Sequence, residues 1–451
     1  MTEAGLVIER SRPAPAVRRG LGVAAGLWTV VLGNAAAIVW LWIHGGNLTV
    51  HTTGELLTSL GRITGLLGAY LALIQVLLLA RLPWLERLAG LDRLSVWHRW
   101  NGHACLDLIL AHVVLIVWGY ALMDRIPLTK EISTMLGGGI YPGMITATVG
   151  TGLLIAVVVT SVVIVKRRLR YETWYLVHLS AYAGIALGWF HQIPTGNELV
   201  LDTVAADYWR ALYVATLALL VGYRVLVPLA HALRFRLRVA EVVAEGPGVV
   251  SLRITGRRLE RLGARAGQFF VWRFLSRGRW WTAHPFSLSA APDGRSLRIT
   301  VKALGDHTAR LGSISPGTRV LAEGPFGVFT AAARKRDKSL LIAGGIGITP
   351  IRALLDELRG DALVLYRVLS EEDVLFRNEL QGRPVQVVAG DHATAEGADL
   401  LSPDHLRELV PDLAERDVFV CGPPAMTQAI ARNVRKAGVP RRHVHTERFA
   451  L

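Results

Sequence analysis

Four histidines lie on two long apolar stretches at nearly matched spacing: His98 and His112 are 14 residues apart, His178 and His191 are 13 apart. On helices rising ~1.5 Å per residue these steps span about 21 and 20 Å. Each helix then carries one imidazole towards either end of a membrane crossing. Imidazole is a good iron ligand, and ligation on both faces of the iron favours electron transfer. The spacing therefore predicts two stacked haem b groups, one held by His98 with His178 and the other by His112 with His191. Ionisable groups inside a bilayer are costly and mark function by default; the competing expectation is that the rings sit in the membrane interface. A 14-residue step misses a whole number of turns by about 40°, and a 13-residue step by about 140°. The second helix is thus expected to tilt, bulge or unwind, with Gly184 and Gly188 as permissive positions. His103, five residues beyond His98, faces elsewhere and is not an expected ligand. Arg62 is expected to act on an outer haem propionate or an anionic acceptor, with an Arg62–Asp107 ion pair as the alternative.

The elements that must position these residues are membrane helices. Of the 451 residues 52% are hydrophobic and 19% charged, and the long charge-free runs lie almost entirely before residue 231. Six spans can be drawn at roughly 21–44, 56–80, 98–122, 144–165, 173–192 and 208–231. They form a domain over 21–233 that follows a segment over 1–20. The run Leu21–Ile43 carries no charge and would be about 34 Å long, which reads as a first span and not as a twin-arginine signal after Arg18 and Arg19. Basic residues cluster before the first span, after the second, between the fourth and fifth and after the sixth, whereas the loops at 45–55 and 193–207 contain none. Positive-inside counting puts both termini and all that follows residue 234 in the cytoplasm, in a multi-pass protein of the cell membrane. The net charge of +15 forms no single patch, so nucleic-acid binding is not expected. Cys105 and Cys421 lie in separate segments, so neither a disulfide nor structural zinc is expected.

Beyond residue 234 the texture is that of a soluble protein. Residues 234–335 show short alternating segments broken by Gly and Pro, and predict an antiparallel β-barrel. Residues 336–451 alternate buried strands with helical stretches, and predict an α/β doubly wound parallel sheet. The run His284-Pro285-Phe286-Ser287-Leu288-Ser289 offers an aromatic ring to stack on an isoalloxazine and a hydroxyl for flavin N5. Segments containing Lys302, Thr308 and Gly324–Gly327 would complete an FAD site. The turn Gly344-Gly345-Ile346-Gly347-Ile348-Thr349-Pro350 follows an apolar strand, and its glycines let the backbone approach a pyrophosphate. Thr349 is expected as the helix N-cap and Pro350 in its first turn. The third glycine of the full dinucleotide fingerprint is replaced by Pro350. Cys421-Gly422-Pro423, after another strand, would shape a nicotinamide pocket, and Cys421 has no visible activating partner. Phe449 could stack over the flavin. Arg367 and Ser370 would hold a 2′-phosphate and favour NADPH over NADH, with Glu371 and Glu372 pulling the other way.

Residues 235–451 resemble the ferredoxin–NADP reductase superfamily, in the His-Pro-Phe-Ser form of its flavin motif. Residues 56–231, through Leu91–Trp100 and Trp174–Leu179, resemble the ferric-reductase-like transmembrane domain. Together they are similar to the ferric reductase/NADPH oxidase family. The resemblance implies haem ligation by His98, His112, His178 and His191, and flavin contacts by His284, Pro285, Phe286, Ser287 and Ser289. It implies nicotinamide contacts by Gly344, Gly345, Gly347, Thr349, Cys421, Gly422 and Pro423, and it places Arg62 near the outer haem. Two residues follow Phe449 where some relatives end on the aromatic.

The expected activity is transfer of electrons from cytoplasmic NAD(P)H through FAD and two b-type haems to an extracytoplasmic acceptor, ferric chelate or O₂. No obligatory protein partner is evident beyond the lipid bilayer. The alternative is a haem-free, membrane-anchored flavin reductase that serves a protein partner. A transporter fused to a redox domain is disfavoured, because no broken helices recur at matching positions of two repeats.

Overall fold

The computed structural model describes residues 16–137, 139–162, 168–169, 171–277, 279–280, 282–358, 360–390 and 400–448. The chain divides into two compact units, Met1–Tyr223 and Arg224–Leu451.

The first unit is helical, with α1 (Ala16–Trp42), α2 (Thr53–Leu78), α3 (Leu91–Asp124), α4 (Met144–Ser161), α5 (Tyr171–Thr195) and α6 (Thr203–Val221). α2 starts at a reciprocal cap: Thr52 Oγ1 accepts from the Glu55 amide, and the Glu55 carboxylate accepts from the Thr52 amide. Asp202 caps α6 by accepting from the amides of Val204 and Ala205. Glycines bring the helices together in pairs. A Cβ on Gly65 of α2 would lie 2.5 Å from His112 Nδ1 of α3, and one on Gly150 of α4 would lie 2.6 Å from the Gly184 carbonyl of α5. Small residues at such seams let backbones approach closely where apolar solvent supplies little drive for helix association.

Among the described residues five helices are long and apolar enough to cross a membrane: Ala25–Asn47, Thr53–Leu78, Arg93–Asp124, Met144–Ser161 and Thr203–Phe235. The six-span expectation is corrected accordingly. The segment expected at 173–192 does form a helix, α5, but Trp174, Tyr175, His178, His191 and Gln192 dilute its apolar character. Only 6–33% of each candidate span's most apolar stretch is buried within the unit, so these helices present Leu, Val and Trp outward. That surface is the reverse of a water-soluble bundle.

The second unit opens with two three-stranded antiparallel sheets. One has the order β1 (Arg238–Gly246), β2 (Val249–Thr255), β5 (Ser296–Lys302); the other has the order β4 (His284–Ser287), β3 (Phe269–Phe274), β6 (Val320–Phe326). The expected barrel does not close. Among the described residues the sheets are joined by the isolated bridges Arg238–Arg319 and Leu288–Ile299 and a few backbone hydrogen bonds, not by a continuous ladder; β4 is four residues long, and the Gly/Pro segment after Ser289 ends its pairing. Trp272, Phe270, Leu252, Ile254 and Leu288 fill the space between them.

The remainder is a parallel five-stranded sheet in the order β11-β10-β7-β8-β9, formed by β7 (Ser339–Gly344), β8 (Ala362–Val368), β9 (Val385–Ala389), β10 (Asp417–Gly422) and β11 (Val444–Arg448). Alternate residues face opposite sides: Leu341, Ala343, Phe419 and Cys421 enter one core, and Leu340, Ile342, Val418 and Val420 the other. The strand order reverses between β7 and β10, which makes their carboxyl ends the place where such sheets bind ligands.

Two polar devices hold this unit together. Arg298 of β5 donates to both carboxylate oxygens of Glu379 at 2.6 and 2.9 Å. Arg352, on the helix α7 (Ile348–Glu357), reaches the same carboxylate at 2.8 Å and Asp356 at 2.6 Å. Burial raises the Glu379 carboxyl, but the Arg298 hydrogen bond and the two guanidinium charges outweigh it and hold the group below its ordinary range. Asp417, fully buried at the start of β10, accepts from the amides of Lys335 and Arg336, both at 2.6 Å. The same carboxylate meets His443 Nδ1 at 2.9 Å and His445 Nε2 at 3.3 Å. Burial raises this carboxyl too, and those four partners together lower it. Burial also lowers the His445 pKa, so the ring is neutral in the fold.

Both carboxylates and His445 have depressed folded-state pKa values, so each contributes stability that is present above its unfolded pKa and lost as pH falls through the folded one. Thermal unfolding of the full chain is expected to show a midpoint that declines first below pH ~6.5, as unfolded histidine gains a proton, and more steeply below ~4. Asp417→Asn should flatten the second decline. Glu379→Ala should cost about 1–3 kcal/mol at neutral pH, because it removes the carboxylate shared by two partly buried guanidinium groups.

Candidate functional site

The His-Pro-Phe-Ser run forms β4 and pairs with β3 in the register Phe269–Ser287, Phe270–Phe286, Val271–Pro285 and Trp272–His284. Strand alternation puts His284 and Phe286 on one face and Pro285 on the other. The two rings are half-buried and nearly parallel, with centroids 6.2 Å apart and planes at 16°. Trp272 Nε1 donates to the Phe286 carbonyl at 3.0 Å and locks the strand from behind. Burial lowers the His284 pKa, so this ring is a neutral, flat surface at physiological pH. Nearby, Gly324 and Gly327 have φ of +146° and +94° and lie against the rings of Phe270 and Phe269, where Cβ atoms would come to 2.7 and 3.3 Å. The near-parallel His284 and Phe286 rings present a flat aromatic surface on which a planar ring could stack.

Not every expected flavin contact is equally placed. Ser287 is buried at the end of β4. Ser289 is fully buried, and its hydroxyl accepts from Thr300 Oγ1 at 2.8 Å and Arg298 Nε at 3.2 Å. Thr308 closes its own turn, accepting from the amides of Leu304 and Gly305. Lys302 is exposed at the end of β5. Phe449 lies outside the described residues.

At the sheet, β7 runs through the 3₁₀ turn Gly345–Gly347 into α7. Gly345 has φ +51°, and a Cβ there would meet nothing within 4 Å, so the turn opens to solvent. Gly347 and Gly344 face the opposite constraint. A Cβ on Gly347 would lie 2.3 Å from the Cys421 carbonyl, and one on Gly344 would lie 2.2 Å from Met426 Sδ. The two strand-to-helix turns thus touch backbone to backbone at the reversal of strand order. Thr349 does not cap the helix: Gly347 already has helical angles, α7 begins at Ile348, and Thr349 Oγ1 donates back to the Ile346 carbonyl at 3.0 Å. Its capping role is therefore corrected, because the 3₁₀ turn runs into the helix without a break.

Cys421 is fully buried at the end of β10, level with Ala343 on β7 and Glu447 on β11. Burial, reinforced by the Glu447 charge, pushes its thiol far up, so it is a protonated wall group and not a nucleophile. Pro423 caps the next helix, α8 (Pro424–Lys436), and Thr427 Oγ1 donates to the Gly422 carbonyl. Sequence reading missed Glu447, Arg298 and Trp272. An acid inside the strand Val444–Arg448 was the only available signal for the first, since the pairing with Cys421 is tertiary.

In the first unit, α3 and α5 bring the four histidines together two by two. His98 and His178 have ring centroids 6.0 Å apart, and His112 and His191 6.3 Å apart. The rings are oriented by hydrogen bonds from Nδ1: His98 with the Gln75 carbonyl at 3.2 Å, His112 with Gly61 at 2.8 Å and His191 with Gly188 at 2.6 Å. α5 is helical from Tyr171 to Thr195, so the expected unwinding is absent. The pairs are, however, two imidazoles each. Among the described residues no group of three or more His, Cys, Asp or Glu side chains could hold a metal ion. The expectation of two haem b cofactors, of iron binding, and of electron transfer through haem to ferric iron or O₂ is corrected on that finding. Arg62 Nη1 donates to Asn47 Oδ1 at 3.0 Å, and Asn47 Nδ2 in turn donates to the buried Glu198 at 2.6 Å. Asp107, its alternative partner, is exposed.

Three family profiles match: "Ferric reductase like transmembrane component" over residues 64–189, "FAD-binding domain" over 234–330 and "Oxidoreductase NAD-binding domain" over 341–432. Ferredoxin–NADP reductase B of Sorangium cellulosum is 32% identical over 187 residues, 36% of this chain and 77% of the relative. NADH oxidoreductase HCR of Escherichia coli is 28% identical over 46% of this chain and 66% of its own length. The ferredoxin reductase component of 3-ketosteroid-9-alpha-monooxygenase from Mycolicibacterium smegmatis is 32% identical over 47% and 65%. Among solved structures, the flavohem-like FAD/NAD binding domain of nitric oxide dioxygenase from Vibrio cholerae aligns at TM-score 0.40 and 23% identity, covering 48% of this chain and 98% of that one.

Gly347→Ala is expected to force the two turns apart and cut NAD(P)H-dependent flavin reduction by about tenfold or more, with FAD still bound, since a Cβ cannot share that space. Stopped-flow reduction together with a flavin count checks it. The matched segments and the geometry agree: the chain is an NAD(P)H-dependent FAD oxidoreductase of the ferredoxin–NADP reductase superfamily, its module fused to a ferric-reductase-like transmembrane component.

Proposed function

We propose that this protein is a membrane-anchored flavin reductase that takes electrons from NAD(P)H and delivers them to a protein partner. The observation that carries this reading is the fusion of a complete FAD and nicotinamide module to a unit with five membrane-length apolar helices. Residues 21–233 form the multi-pass anchor, 234–335 bind FAD and 336–451 bind the nicotinamide nucleotide. The clusters of Arg and Lys beside the spans keep the second unit on the cytoplasmic side. Relatives named as reductase components of a monooxygenase support a protein as the electron acceptor.

The flavin supplies the exchange between two-electron and one-electron transfer. The chain's own residues position it. His284 and Phe286 offer the flat wall, and Ser287 lies at the end of the same strand. Gly345 opens the strand-to-helix turn to the nucleotide's pyrophosphate, where the amino end of α7 favours negative charge. Cys421, Gly422 and Pro423 wall the nicotinamide pocket, and the buried, protonated thiol keeps charge out of it.

Full-length protein purified in detergent is expected to contain about one FAD per chain, to show a flavin spectrum without a Soret band, and to reduce a one-electron protein acceptor with NAD(P)H. A Soret band, or reduction of the flavin without transfer to any protein acceptor, would count against this reading. Phe286→Ala should weaken FAD retention by about tenfold through loss of aromatic stacking, as read by flavin release on dilution.

A further inference from the structure

We infer that the nucleotide site selects NADH against NADPH, by presenting carboxylates where NADPH carries its 2′-phosphate. This deepens, and rests on, the nicotinamide-dependent reading above. In the parallel sheet Gly344 is level with Arg367, so the residues that follow β8 border the open Gly345 turn. That edge, at the carboxyl end of the second strand, is where a dinucleotide's adenosine ribose is recognised.

The Nη1 of Arg367 and both donors of Ser370 are turned to groups of the chain itself. Arg367 Nη1 donates to three backbone carbonyls, Val368 at 2.6 Å, Gly390 at 2.6 Å and Val388 at 3.2 Å. It ties the ends of β8 and β9 together. Ser370 Oγ and the Ser370 amide both donate to Asp373 Oδ2 at 3.2 Å. Between them stands Leu369, which is 59% exposed and offers no donor from its side chain. The surface beyond is acidic: Glu371, Glu372 and Asp373 are consecutive and exposed. The neighbouring cation is Arg377, whose Nη2 is held at 2.5 Å by the Glu371 carbonyl. A 2′-phosphate brings about −1.5 to −2 charges towards three carboxylates, whereas a ribose 2′-hydroxyl can donate to one of them.

The test uses the full chain loaded with FAD in detergent, with ferricyanide as acceptor. The expected kcat/KM is at least about tenfold higher for NADH than for NADPH, with the difference mainly in KM and shrinking at high salt as charge is screened. Glu371→Lys with Glu372→Lys should narrow the ratio, whereas Arg377→Ala should not. Calorimetry with AMP and 2′-phospho-AMP gives a readout independent of turnover, and AMP is expected to bind more tightly. Equal or better use of NADPH, tighter binding of 2′-phospho-AMP, or a ratio untouched by the double charge reversal overturns the inference. Failure to oxidise either dinucleotide while AMP still binds more tightly overturns the reductase reading and leaves the selectivity standing.

Discussion

The close approach of two strand-to-helix turns, Gly344–Gly347 and Cys421–Gly422, is the constraint on which the catalytic module depends. Only glycine fits at 347, where a Cβ would lie 2.3 Å from the Cys421 carbonyl oxygen. That proximity brings the amino end of α7 against the turn after β10. It exists because the strand order reverses between β7 and β10, so their following turns diverge above a shared edge. The flavin strands join this edge through Arg298, Glu379 and Arg352, and through Ala266 and Phe329, which pack into the same core as Leu354 and Phe419. Electron transfer needs the two cofactors held at fixed separation, and a guanidinium–carboxylate–guanidinium bridge resists both shear and separation.

The membrane unit follows a different logic. Its long helices bury little of their own apolar surface and approach one another at glycines. The seams join α2 to α3 and α4 to α5, and the histidines pair between α3 and α5. Each ring is oriented by a backbone carbonyl or hydroxyl, and each meets one other imidazole. Pairs of rings are a weaker indication of chemistry than their sequence spacing promised, and the functional weight moves to the second unit.

Charge governs the nucleotide edge in the same way that close packing governs the turn. Arg367 looked like a phosphate receptor because of its position after the second strand. In the fold its guanidinium satisfies carbonyl groups at the ends of β8 and β9, which unpaired would carry a desolvation cost. With its Nη1 turned to those carbonyls, the next charged side chains along the chain are three exposed carboxylates.

Much of the architecture was legible because it depends on local pattern. Charge-free runs marked the helices and apolar strands marked the parallel sheet, and Gly344–Gly347 did form the close turn that its residue types implied. Element closure and pairing were not legible. Whether six strands close a barrel depends on the four-residue length of β4, and whether α5 counts as a span depends on how much apolar surface its aromatic and histidine residues leave. Whether Thr349 caps, whether Ser289 and Arg367 are available, and whether Glu447 stands beside Cys421 are decided by hydrogen bonds between residues distant in sequence. The sequence by itself determined where each kind of chemistry lies along the chain, because residue type and period are local properties. Only the tertiary structure decided which polar groups remain to meet a ligand, because a buried donor must first satisfy the backbone around it.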